Sequence, residues 1–220
     1  MKFGYFCNTT NWNHKPYDQL LKETQEITTY CDKNKWDSIW YTEHHFNHEG
    51  MESCTNPLMM GVDAAARTKH IRIGQACNVI TFHNPIRLAE DIALLDQLSN
   101  GRVEVGIGRG IYGREAINMN KEADLKDQAK NFRLFDESLT IMKKAWTEKF
   151  FSHKGEFYNY PTPGFNCVRK PRAASDAFSQ PGTAFTFASI RSPTNPMAVT
   201  RMWRPIVIRS SKATRYLSKT

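Results

Sequence analysis

The chain has 220 residues, 40% of them hydrophobic and 12% aromatic, which suits a soluble protein with one good core or two small ones. No window approaches the ~18 consecutive apolar residues of a membrane helix, and the start MKFGYFCNTT has too short an apolar run for a signal peptide, so a membrane span and secretion are excluded as expectations. The net charge of +8 does not make a nucleic-acid binder, because it is confined to the C-terminal tail: residues 168–220 carry ten Lys and Arg against Asp176 alone, whereas residues 1–167 sum to −1.

In chain order, Phe3–Asn8 reads as a short buried strand. Pro16 opens a helix with Leu20, Leu21, Thr24, Ile27 and Cys31 on one face. Asp37–Tyr41 is a second strand. Asn56-Pro57, a capping residue followed by proline at the first helical position, starts a second helix. Ile71–Val79 is a third strand, and Asn84-Pro85 repeats the start signal ahead of a helix with Leu88, Ile92, Leu95 and Leu98 at helical spacing. Asn100-Gly101 ends that helix and Arg102–Ile107 is strand four. A long amphipathic helix then runs from Leu125 through Phe132 and Phe135 to Trp146. Four β/α units in succession imply parallel strands, either in a doubly wound sheet or in the first half of an eight-fold barrel. In both, the functional loops follow the C-terminal strand ends.

The tail is a different composition. Residues 1–167 hold 13 Lys to 7 Arg and 14 Asn; residues 168–220 hold 3 Lys to 7 Arg and one Asn. The tail reads either as a disordered basic segment or as sequence foreign to the fold, so the expected division is 1–167 and 168–220. Five cysteines without a C-x-x-C pair point to reduced thiols in the cytoplasm.

Three polar loops fall at strand ends. In WYTEHHFNHE, His44 and His48 have the i, i+4 spacing of zinc ligands, but the order is not H-E-x-x-H and the segment leaves a strand, so no metal is expected. A proton-transfer histidine and a merely hydrogen-bonded loop both remain open on spacing alone. Gly108, Gly110 and Gly113 satisfy G-x-G-x-x-G, yet the next helix is expected only from about Glu122, which disfavours a dinucleotide site. Those glycines permit close approach of a flat or phosphorylated ligand with Arg109 as donor, or else form a turn whose arginine faces solvent. Arg87, Glu90, Asp91 and Asp96 read as a charged outer helix face, with Arg87 and Asp91 as an i, i+4 pair, and Cys77 as a small core residue.

Together WYTEHHF, GQACNVITFHNPIRLAEDIALLDQLSNGR and GIGRGIYG, with the MKFG start, resemble the signature segments of the bacterial-luciferase-like flavin monooxygenases, from residue 1 to about 166. The resemblance implies an α/β protein of the (β/α)8 TIM-barrel kind, cut to about its first four β/α units and followed by an irregular basic tail. It implies reduced FMN at the C-terminal strand ends, supplied by a separate flavin reductase, with dioxygen and a small organic substrate meeting there through a flavin hydroperoxide. It also implies a homodimer or heterodimer. On this resemblance His44 is the catalytic base or stabiliser, while Glu43 and His45 shape the pocket. Ala76, Cys77 and Asn78 lie under the flavin ring, with a non-proline cis peptide at Ala76-Cys77. Arg109 matches a phosphate-binding arginine flanked by Gly108 and Gly110, and Gly108 stands where the luciferase alpha subunit has a reactive cysteine. The alternative is a flavin- or deazaflavin-binding protein without oxygenase activity, which would keep Arg109 and the strand-three floor but not depend on His44. Such barrels take about 250 residues. No strands for a second half are legible after residue 166, which sets the encoded function apart from the activity of this chain.

Overall fold

The computed structural model describes residues 2–46 and 54–161, together with the backbone of three short strands at 168–169, 184–187 and 206–209. Most of the tail, Cys167, and the expected boundary at 167/168 lie outside the described residues, as do His48 and Glu49.

The body alternates strand and helix: β1 (Gly4–Cys7), α1 (Tyr17–Lys33), β2 (Ser38–Tyr41), α2 (Pro57–Arg67), β3 (Arg72–Gln75), β4 (Asn78–Val79), α3 (Pro85–Leu98) and β5 (Val103–Gly108). Both Asn-Pro signals act as expected. Asn56 Oδ1 accepts from Met59 N at 2.9 Å, and Asn84 Oδ1 accepts from Ile86 N at 3.0 Å and Arg87 N at 3.2 Å. Asn100 and Gly101 close α3 in the left-handed region, with φ of 55° and 75°.

Four pairings are parallel and follow chain order, β1 to β2 to β3 to β5, with β4 also on β5. A doubly wound sheet would reverse order at a switch point, so this order matches the barrel alternative. Alternate side chains (Cys7, Ile39, Tyr41, Ile73, Val103, Val105, Ile107) pack in one core with Ala64, Leu88, Ala89, Ile92 and Ile141 of the helices. On the other face Trp40 lies so close over Gly74 that a Cβ there would overlap its ring.

Several expectations need correction. Asp96 is 2% exposed, not on an outer face, because it stands four residues after Ile92 on the buried stripe; Leu98 is instead 52% exposed. A short helix, α4 (Gly113–Met119), opens at the third glycine rather than near Glu122. Only Glu115 and Ala116 of its seven residues are buried, too few for a legible period. The long helix α5 (Gln128–Thr147) follows, capped by Asp127 Oδ1 on Lys130 N at 2.9 Å. Beyond it, β6 (Phe150–Phe151) pairs with β9 (Val168–Arg169), and β7 (His153–Lys154) with β8 (Asn159–Tyr160), all antiparallel. Two tail segments also extend the sheet: β10 (Ala184–Phe187) runs parallel to β5, and β11 (Ile206–Arg209) antiparallel to β10. AFTF and IVIR carry the aromatic and β-branched residues that favour pairing along an open strand edge.

Candidate functional site

The chain leaves the C-terminal ends of β2, β4 and β5 in three loops, and hydrogen bonds tie their described residues together. The loop after β2 carries the best-connected group. Glu43 is 3% exposed; its Oε2 accepts from Val79 N at 2.6 Å, and its Oε1 lies 3.1 Å from His45 Nε2 and 2.9 Å from His83 Nε2. Burial pushes this carboxyl upward, but the bonds from His45, His83 and Val79 outweigh it and hold Glu43 below the ordinary carboxylate value. His83 is the reciprocal case. Burial disfavours its charge, yet the Glu43 bond and the charges of Glu43 and Asp91 hold it above the ordinary histidine value. Glu43 and His83 therefore favour each other's charged form across 2.9 Å.

A second carboxyl reaches the loop from α4. Glu115 Oε1 accepts from His45 N at 2.7 Å and lies 3.4 Å from His44 Nδ1. His44 N donates to Cys54 O at 2.9 Å, and its ring centroid is 5.6 Å from that of Tyr112.

Between β3 and β4 the Ala76-Cys77 peptide is cis, as the resemblance implied. Burial pushes the Cys77 thiol up to about 12, with the Glu43 charge adding to the effect, so Cys77 is a packing group and not a thiolate. That packing explains Gly108: a Cβ at 108 would collide with Cys77 Sγ, and one at 106 would collide with the Gln75 carbonyl. Gly110 has φ of 84° and packs against Phe82 and Val79. Asn78 is buried and donates to Gly106 O at 3.3 Å.

Arg109 faces protein rather than solvent. It is 8% exposed, donates to Asn131 Oδ1 at 3.0 Å and Gln128 Oε1 at 3.4 Å, and lies over the Phe132 ring at 5.5 Å. The solvent-facing alternative is thereby corrected. Arg87 and Asp91 form the expected exposed pair at 3.3 Å. They border a cavity of about 330 Å³ between α2 and α3 whose lining includes Glu43, Asn78 and His83.

The structure thus brings Glu43, His44 and His45 together, and joins them to the Ala76–Asn78 segment through Val79. Arg109 and Gly110 share the same end of β5 but turn toward α5 and Phe82. Sequence reasoning passed over His83, Glu115 and Asn131. His83 stands beside the Asn84 cap inside one of the segments that carry the family resemblance, whereas Glu115 lies on the helix that had no legible period. Among the described residues no helix is long and apolar enough to cross a membrane.

A family model described as luciferase-like monooxygenase matches residues 1–201, beyond the 166 at which the motif resemblance stops. The chain is 35% identical over 76% of its length to the alkanal monooxygenase beta chain of Photorhabdus luminescens, of which it covers 49%. It is 34% identical over 73% of its length to the oxygenase component of the flavin-dependent trigonelline monooxygenase of Acinetobacter baylyi, of which it covers 43%. Among solved structures, monooxygenase RslO1 from Streptomyces bottropensis superposes with a TM-score of 0.65 at 28% identity, over 73% of this chain and 47% of that one. The oxygenating constituent of 3,6-diketocamphane monooxygenase from Pseudomonas putida, in complex with FMN, gives 0.65 at 25% identity, over 72% and 42%. The chain spans about half the length of the curated relatives it matches.

Proposed function

The chain belongs to the luciferase-like monooxygenase family, and from that premise we propose that the ends of β2, β4 and β5 form the flavin face of an FMN-dependent monooxygenase acting on a small organic substrate. The observation that carries this reading is the His44–Glu115 contact at 3.4 Å, which sets an imidazole at the C-terminal strand ends through a buried carboxyl.

The residues present fit a flavin. Its ring needs a flat floor and a few hydrogen-bonding groups, and its phosphate needs a positive charge. Ala76, Cys77 and Asn78 offer the floor, with Gly108 leaving the room that Cys77 fills. Among the described residues, Thr42 Oγ1 and Gln75 Nε2 at the ends of β2 and β3 are buried polar atoms without a hydrogen-bond partner. Arg109, held by Asn131 and Gln128, supplies positive charge at the end of β5, and Gly110 lets the chain turn there. Reduced FMN, when bound, supplies the electrons that activate dioxygen for transfer of one oxygen atom to the substrate. His44 accepts or returns a proton, with the Glu115 carboxyl 3.4 Å from its Nδ1, while Glu43 and His45 keep the loop in place. A separate reductase supplies the reduced flavin, and the free thiols of the four described cysteines suit a cytoplasmic setting.

The test is anaerobic titration of the full chain with reduced FMN and, in parallel, a reduced deazaflavin, followed by quenching of tryptophan fluorescence. Saturable binding of reduced FMN is expected. His44→Ala is expected to leave that binding nearly unchanged while oxygenation falls by about 10²–10⁴-fold. Preference for the deazaflavin, or indifference of oxygenation to His44→Ala, would contradict the reading.

A further inference from the structure

An arginine meets a phosphate well only when its long, flexible stem is held in place beforehand. For Arg109 one residue does most of the holding. Asn131 of α5 is 0% exposed, and its Oδ1 accepts from Arg109 Nη1 at 3.0 Å. Its Nδ2 donates to Arg109 O at 3.5 Å and to Ala123 O at 2.9 Å. A single amide therefore grips both the head and the main chain of one arginine, and ties them to the 3₁₀ turn Lys121–Ala123 between α4 and α5. Thr81 Oγ1 donates to the same Arg109 carbonyl at 3.1 Å from the segment after β4, so the main chain is fixed from two sides.

The chemistry of the side chain matters as much as its place. A leucine of similar volume would fill the site but strip Arg109 Nη1 and Ala123 O of these partners. An aspartate would match the shape, yet it has no N–H for Ala123 O and would set a negative charge against the guanidinium. Asp136 of α5 already acts on Arg109 with one negative charge. Gln128 and the Phe132 ring, which also touch Arg109 from α5, are neutral as Asn131 is. We propose that Asn131 is the positioning residue of the flavin phosphate site, holding the Arg109 guanidinium without adding negative charge to it. The proposal rests on the FMN reading, and Asn131 acts through Arg109 rather than by touching the flavin.

The experiment compares reduced FMN with reduced riboflavin, the same ring without the phosphate, by anaerobic titration of the full chain with tryptophan fluorescence as readout. The unaltered chain is expected to prefer FMN, and to lose part of that preference as salt rises. Asn131→Ala loosens the guanidinium without adding charge and is expected to weaken FMN by about tenfold, with riboflavin unchanged. Asn131→Asp is expected to weaken FMN further, again with riboflavin unchanged. If both variants weaken the two flavins in equal proportion, Asn131 is a packing residue and the proposal is overturned while the FMN reading stands. If the unaltered chain does not prefer FMN, the phosphate site itself fails and the proposal with it. The unaltered chain with ¹⁵N-labelled asparagine decides alone should the variants not fold. The Asn131 side-chain amide signal is expected to shift with FMN and not with riboflavin, and an equal response to both, or none, would overturn the proposal.

Discussion

The two ends of the sheet bury polar groups in different ways. At the N-terminal end, Asp32 accepts from Lys69 N at 3.1 Å and from His70 N and Ile71 N at 2.8 Å. Arg102 donates there to the carbonyls of Ser99, Ile71, Ala65 and Thr68 and to Thr68 Oγ1, at 2.7 to 3.2 Å. Nearly every partner is backbone, which neither titrates nor moves. At the C-terminal end, Glu43 and Glu115 hold His45, His83 and His44, and most partners can gain or lose a proton. One end clamps helix ends to strands; the other keeps protonatable groups in register. This is the division expected of a β/α barrel, whose chemistry sits at the C-terminal face.

The comparison is most easily broken at the clamp. Arg102→Ala should lower the unfolding free energy by about 3 kcal/mol, since several buried carbonyls lose a charged donor. Arg102→Lys should recover less than half, because one ammonium cannot reproduce the planar fork. Urea unfolding of the three proteins reads this directly.

Next in size is the ledge at the chemical end. Gly108→Ala should destabilise the fold by about 2 kcal/mol through overlap with Cys77 Sγ. Cys77→Gly in the same chain should relieve part of that loss, and additive effects in the double variant would remove the contact from the account.

The smallest effect separates the two ends by pH. Asp32 is a depressed carboxylate: burial opposes its charge, but three backbone N–H bonds prevail. Its contribution is therefore present above its unfolded value of about 4 and is lost as pH falls through the lower folded value. His83 is raised, so its contribution is complete below about 6.5 and disappears as pH rises through the higher folded value. His83→Gln should flatten the decline in stability above about pH 6.5 while leaving the acid limb intact. An unchanged alkaline limb would show that the Glu43–His83 pair does not govern it.

What the sequence disclosed follows the same line. Caps and periodic faces are local, so Asn56-Pro57, Asn84-Pro85 and the stripe of α3 were legible, as was the polar character of the three strand-end loops. Long-range pairing is not local. Nothing near Glu43 announces a partner at His83, and nothing near His44 announces Glu115, 71 positions away on a helix of seven residues. Asp96 was misplaced because a charged residue next to a buried stripe looks like an outer face until the fold covers it. The strands at 184–187 and 206–209 depend on an open edge of β5 that composition cannot show.

The central claim is that flavin chemistry belongs to the C-terminal strand ends. The most direct measurement is the ¹⁵N–¹H spectrum of the full chain under anaerobic conditions, with and without reduced FMN. The account predicts shifts concentrated in residues 42–46, 76–83 and 106–115, with the Asp32 and Arg102 clamp unmoved. Shifts centred on the clamp, or none in a folded sample, would contradict it.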